Sequence, residues 1–263
     1  SFYAEDGAMI RETATIPRWL PFFVGMVVFL ATLWLWRALS ANEEHQIERM
    51  INSEMSNVRN AITARLQSHI LALVSMARRW ENRGQPSEQE WEAEAELTTS
   101  HFAGYQAIVW IDPWFFIRWT TPLANEETKQ ELNLAFAERR RAAMDAVRNR
   151  REVTVTHAVE LQPDALGFFI YVPIFRGEQS SGIIAGAVGF RELFDSTLHD
   201  VITPGYGLAI FDGQEELHRY THVDRQEAHP QLHETTLSIY GITWRLEVWP
   251  ETAVLNGARS LLP

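Results

Sequence analysis

The sequence predicts an α+β protein: a membrane helix, a long stalk helix, and then two antiparallel sheets carrying helices. Three observations carry this reading. An uncharged run of eighteen residues, WLPFFVGMVVFLATLWLW, fills Trp19–Trp36. From Ser40 to Glu81 there is no Gly or Pro, and apolar residues recur every three or four positions, the period of one helix face. After Gly104 the period shortens to that of strands, punctuated by turn residues. With 263 residues, 46% hydrophobic and 22% charged, the chain can bury a sizeable core, and wholesale disorder is excluded.

At 1.5 Å per residue the apolar run spans about 27 Å, close to a bilayer's hydrocarbon thickness. Arg18 and Arg37 bracket it, and Trp19, Trp34 and Trp36 stand where indole rings favour the interface. A transmembrane helix is expected over 19–39, behind a short cytoplasmic segment, 1–18. Arg11 and Arg18 before the span balance Arg37 and Arg49 after it, so basic residues alone do not orient it. Residues 251–263 read as the approach to a second span.

The stalk, 40–82, carries its stripe on Ile47, Ile51, Met55, Val58, Ile62, Leu66, Ile70, Leu73, Met76 and Trp80. A partner helix, the chain's own domain, or both can cover such a stripe. The mixed flanking charges (Glu48, Arg49, Glu54, Arg59, Arg65) suit a parallel homodimer, with Ile47, Ile51, Met55, Val58, Ile62 and Leu66 as its seam. Packing on the chain's own domain is the simpler alternative.

Asn82-Arg-Gly-Gln-Pro86 ends this helix. Ser87-Glu-Gln-Glu90 has the capping-box pattern and starts another, to about Phe102. Its five glutamates between Glu88 and Glu96 read as a solvated face. Gln106–Ile111 and Phe115–Thr120 form a hairpin-like pair around Asp112-Pro-Trp114. A charged helix follows over Glu126–Arg148, then strands at Val153–Glu160, Phe168–Ile174 and Gly182–Phe190. Arg191–Val201 is helical and stops at Thr203-Pro-Gly205. Strands are expected again at Leu208–Phe211, Glu216–Tyr220, Glu234–Tyr240 and Ile242–Val248, the last two joined at Gly241.

Several chemistries are excluded. The net charge of −11 leaves no basic face for nucleic acid. The absence of cysteine removes disulfides, thiolate metal sites and Cys nucleophiles. No G-x-S-x-G or H-E-x-x-H is present. Ser100-His101 and Thr156-His157 are adjacent pairs, and neighbours on one strand point to opposite faces. No catalytic residue, cofactor or metal is therefore assigned. His218 and His222, and again His229 and His233, are His-x-x-x-His pairs, but on strand and loop, so they read as a polar loop. Arg139, Arg140, Arg141, Arg148, Arg150 and Arg151 lie among acids and read as a solvated helix.

The stretches AIVWIDPWFFIRWTTPLANE (Ala107–Glu126), AAMDAVRNRREVTVTHAVEL (Ala142–Leu161), LGFFIYVPIFRG (Leu166–Gly177) and GIIAGAVGFRELFDSTL (Gly182–Leu198) resemble a CHASE domain. This is the extracellular sensor module of cytokinin receptors and many bacterial signalling proteins. With the stalk, the resemblance covers roughly Glu43 to Pro250. It implies two tandem PAS-like subdomains outside the membrane, a distal ligand-binding one at 83–195 and a proximal one at 196–250. It places ligand contacts on Trp110, Arg118, Trp119, Leu161, Phe169, Tyr171, Pro173, Ala185 and Gly186. The acid that reads the purine edge in plant receptors has no counterpart at Arg118–Thr120, so cytokinin does not carry over. The reading is a periplasmic sensor at the inner membrane, bound to a small molecule and passing its signal to a histidine kinase or nucleotide cyclase. The competing reading is a membrane-anchored protein-interaction module that binds no ligand.

Overall fold

The structure is a computed structural model describing residues 19–122, 151–163, 165–221 and 232–251. It divides into two units, Ser1–Met50 and Ile51–Pro263. Helix α1 runs from Leu20 to Arg83, with no break between the expected membrane and stalk portions. Among the described residues no helix is long and apolar enough to cross a membrane. In the first unit the described side chains from Gly25 to Trp36 are all exposed. The segment 1–18, the helix expected at Glu126–Arg148 with its arginines, the tail 252–263, and His222 and His229 lie outside the described residues.

In the second unit α1 is followed by α2 (Glu88–His101) and two sheets. Ser87 caps α2: its Oγ accepts the Glu90 N–H, and Glu90 Oε2 accepts the Ser87 N–H at 2.8 Å. These bonds from the Ser87 backbone and hydroxyl hold the Glu90 carboxyl below its ordinary value. Of the glutamate run, Glu88, Glu90, Glu92 and Glu96 are exposed and Glu94 pairs with Arg79, so the run is a helix surface.

The first sheet contains β1 (Tyr105–Ile111), β2 (Ile117–Thr121), β3 (Thr154–Val155), β4 (Val159–Gln162), β5 (Ala165–Arg176) and β6 (Gln179–Gly189). Its order is β2-β1-β6-β5-β3, with β4 also on β5, and every pairing is antiparallel. The single strand expected at Val153–Glu160 is instead two short ones. Side chains interrupt the ladder there: Thr156 Oγ accepts the Phe169 N–H, and Asp212 accepts the Ala158 N–H and bonds His157 Nδ1 at 2.9 Å. Helix α3 (Phe190–Leu198) leaves β6 directly and bridges the expected subdomain boundary at 195/196.

The second sheet has order β8-β7-β10-β9, from β7 (Tyr206–Asp212), β8 (Glu215–Tyr220), β9 (His233–Ile239) and β10 (Ile242–Pro250). Tyr240 and Gly241 both have positive φ, the geometry of the two-residue turn that matches strand twist.

The stalk stripe is core. Ile51, Met55, Val58, Ile62 and Leu66 are at most 8% exposed within the single chain, as are Ile70, Leu73, Met76 and Trp80. This corrects the expected dimer seam: the chain's own domain already removes this face from water, so it is not free for a partner helix. Ile47's side chain lies outside the described ones. Polar groups of α1 fix its register on the segment before β7 and on β5. Buried Glu54 accepts the Thr203 N–H at 2.7 Å and its hydroxyl at 2.9 Å, and Glu81 accepts the Phe175 N–H at 2.9 Å. Between them His69 is wholly buried, with Nδ1 2.8 Å from the Arg65 carbonyl and Nε2 2.9 Å from the Ala103 carbonyl. The Tyr105 hydroxyl donates to the His69 carbonyl at 2.7 Å. Burial lowers the His69 pKa, against the pull of the two carbonyls, and raises that of Tyr105.

Candidate functional site

Side chains alternate across a strand, so cross-strand partners of the first sheet sort into two faces. Phe169 faces Ala187, Tyr171 faces Ala185 and Pro173 faces Ile183, while Ala107, Val109 and Ile111 meet the same three β6 residues from the other side. Ala107, Val109, Ile111, Val159, Phe169, Tyr171, Ile183, Ala185 and Ala187 form one buried apolar cluster, with Leu161 packed against it. The Phe169 and Tyr171 rings are 5.9 Å apart and nearly parallel. The face is therefore a pair of aromatic rings over a floor of alanines, with Leu161 at one end.

The opposite face meets the helices. Ile170 faces Gly186 and Val172 faces Ile184. A Cβ on Gly186 would lie 2.5 Å from Tyr105 Cε1 and 2.9 Å from Leu73 Cδ1, so glycine lets α1 approach the sheet. Trp110 and Trp119, 4.6 Å apart, pack on Trp80 of α1, and Trp119 also meets Trp91 of α2.

The nine expected ligand residues thus separate. Phe169, Tyr171, Pro173, Ala185 and Leu161 share the apolar face. Gly186, Trp110 and Trp119 belong to the helix-packing face, which corrects their assignment to the same pocket. The register of β1 and β2 slips by one residue at Trp110/Ile111. Ile117 consequently stays with Ile111, Trp119 follows Trp110 to the other side, and Arg118 is the extra residue of a bulge. Simple alternation from sequence cannot foresee that slip.

Arg118 does not stand free for an anionic ligand. Its Nε donates to Asp112 Oδ2 at 2.6 Å, while Asp112 Oδ1 accepts the N–H groups of Trp114 and Phe116 at 2.9 Å each. The Asp112 side chain is 3% exposed and that of Arg118 is 53% exposed, so a buried carboxylate shapes the hairpin turn and Arg118 supplies its countercharge. Trp110 and Arg118 do meet in a cavity of about 420 Å³ with Trp80, Trp114, Arg176 and Ser181. This lies at the hairpin end, away from the Phe169–Tyr171 face.

Ala107, Val109, Ile111, Val159, Ile183 and Ala187 complete the apolar face beyond the residues expected from sequence. For those on β1 and β6 the signal was available in the two-residue period, once those strands are paired. Among the described residues no catalytic constellation accompanies the face. Ser100 Oγ and His101 Nδ1 come within 3.3 Å, on helix α2 rather than a strand, but both also bond the Leu97 carbonyl on an exposed surface. Among the described residues no group of His, Asp and Glu could hold a metal ion.

A long helix lies beside two antiparallel sheets, the first with an aromatic-and-alanine face. Similar folds occur in the ligand-binding domain of the amino-acid chemoreceptor PctC of Pseudomonas aeruginosa in complex with GABA (15% identity, 77% of this chain and 98% of that one, TM-score 0.54). They also occur in that of the Pseudomonas fluorescens chemoreceptor CtaA in complex with L-valine (16%, 79% and 99%, TM-score 0.56). An extracellular ligand-binding receptor of Desulfohalobium retbaense matches at 12% identity and a TM-score of 0.56 over 76% of this chain, which spans 40% of that structure. No curated protein matches the chain. Residues 61–221 match the CHASE domain, and the chain belongs to that family.

Proposed function

We propose that this chain is the extracytoplasmic small-molecule sensor of a membrane-bound receptor, binding its ligand on the Phe169–Tyr171 face and passing the event through α1 to a cytoplasmic effector. The observation that carries the proposal is that face: two stacked rings over Ala185 and Ala187, an apolar floor of the kind that takes a small organic ligand. The complexes of its structural relatives with GABA and L-valine make small amino acids the first ligands to try. Exposed apolar side chains on α1, including Phe23, Met26, Phe29, Leu33 and Leu35 with Trp34 and Trp36 at 72% and 70% exposure, support a membrane anchor, since water is a poor solvent for such a surface.

Calorimetric titration of the purified chain with the common amino acids and GABA tests this. One of them should bind saturably, and Ala185→Trp should abolish that binding by filling the floor. Ile170→Ala, on the helix-packing face, should lower stability by about 2–5 kcal/mol and spare affinity. If Ala185→Trp binds like wild type while Ile170→Ala loses affinity without losing stability, the face assignment fails. An interaction module is the second reading, favoured by exposed Trp114 and Phe116 at 73% and 56% on the hairpin tip. It would be preferred if no small molecule binds and Trp114→Ser releases a partner.

A further inference from the structure

Where the two sheets adjoin, a cavity of about 740 Å³ opens between the β4–β5 turn, the start of α3, and β8. It lies beyond Leu161 from the Phe169–Tyr171 face. Leu161, Leu166, Phe190 and Leu217 supply apolar wall. The polar wall is Gln106, Gln162, Arg191, Glu192, Asp195, His218 and Arg219. Arg219 is already committed, since it donates twice to Glu216. Of the charges that remain, Arg191 stands against two carboxylates, Glu192 and Asp195.

His218 is the second observation. Its side chain is 10% exposed, yet among the described residues Nε2 has no hydrogen-bond partner, Asp195 Oδ1 standing 3.5 Å away. That separation is too long for a well-formed bond, and leaving a buried polar atom unanswered is costly. Phe194 packs on the ring at 5.4 Å between centroids. Burial pushes the His218 pKa down, so the neutral ring presents a lone pair on one nitrogen.

We infer that this cavity is a second ligand site, for a small organic ammonium ion with an apolar body. The ammonium would donate to His218 Nε2 and to the Asp195 carboxylate, with Glu192 adding negative potential, while the body lies against Leu161, Leu166 and Leu217. A carboxylate ligand would meet Arg191 but also two acids and a neutral imidazole. A neutral ligand would add no countercharge to the two acids, which Arg191 alone does not balance. Bound there, the ligand would touch α3 and both sheets at once, so it would bear on how they sit together. The inference does not depend on the Phe169–Tyr171 face binding anything.

The test uses the full 263-residue chain in a mild non-ionic detergent at pH 7.5, titrated calorimetrically with benzylamine, benzyl alcohol and benzoate. Benzylammonium should bind saturably, at least tenfold more tightly than benzyl alcohol, and benzoate should not bind. Asp195→Asn, at a side chain that is 60% exposed, should keep the fold and weaken benzylammonium at least fivefold. Ala165→Trp, at an exposed position on the rim, should block it. Ala185→Trp should leave it within twofold of wild type. Equal affinity for benzyl alcohol, or indifference to both Asp195→Asn and Ala165→Trp, would overturn the site. Loss of benzylammonium binding in Ala185→Trp alone would move the amine to the sheet face and also end the proposal, without touching the sensor reading.

Discussion

Glu54 offers a sharp test of how α1 is held. Its carboxylate is 6% exposed and takes both donors of Thr203, the N–H at 2.7 Å and the hydroxyl at 2.9 Å. A hydrogen bond to an ionised group contributes about 1.5–3 kcal/mol. Two such bonds on one group are not additive, so Glu54→Ala should cost about 3–4 kcal/mol. For a domain of this size 1 kcal/mol corresponds to about 2–4 °C in Tm, so the midpoint should fall by about 6–16 °C. Glu54→Gln keeps a carbonyl acceptor and loses the charge, and should cost about 1–2 kcal/mol. Thr203→Val removes only the hydroxyl. Its cost should be measurable in wild type and vanish beside Glu54→Ala, because the partner is gone. Urea denaturation of the four proteins in this cycle provides the readout. A Glu54→Ala protein within 0.5 kcal/mol of wild type, or a Thr203→Val cost unchanged in both backgrounds, would refute the reasoning.

Ile62→Asp should unfold the domain rather than merely separate subunits, since Ile62 is 1% exposed within one chain and an unpaired buried charge costs several kcal/mol; circular dichroism against sedimentation distinguishes the two results. Gly186→Val should destabilise by about 1–3 kcal/mol or more by driving Tyr105 and Leu73 off the sheet, read as a lower thermal midpoint. His69 and His218 both have lowered folded-state pKa values. The stability they contribute is present above the ordinary histidine value of 6.5 and is lost as pH falls through their folded-state values. His69→Gln should therefore shrink the fall in urea midpoint between pH 7.5 and pH 5, and an unchanged fall would assign it to other groups.

Much of the architecture was legible because it rests on local patterns. The stripe from Ile51 to Trp80 fixed a helix, the Ser87–Glu90 box fixed the next start, and Gly241 marked the last hairpin. The stripe could not say what covers it, since a partner helix and a sheet demand the same apolar spacing. The site was half legible. Phe169, Tyr171 and Pro173 alternate on one strand, so their common face follows from the period. Trp110, Trp119 and Gly186 went to the wrong side because one depended on sheet register, one on a bulge, and one on how closely α1 approaches. The cavity around His218 was not legible at all: Gln106, Leu161, Asp195 and His218 belong to four elements that only tertiary packing brings together.

The two carboxylates on α1 have a mechanical consequence. Glu54 and Glu81 lie roughly 40 Å apart along the helix axis, at 1.5 Å per residue. One takes a backbone N–H beyond α3 and the other takes one from β5. Between them the rod rests mainly on an apolar seam, which resists separation far more than small sliding. The carboxylates act as index pins at its two ends. A slip by one full turn, about 5.4 Å, would have to free both pins together, so small shifts of β5 near Phe175 should be carried the length of the rod as rigid displacement instead of being absorbed as a change of register.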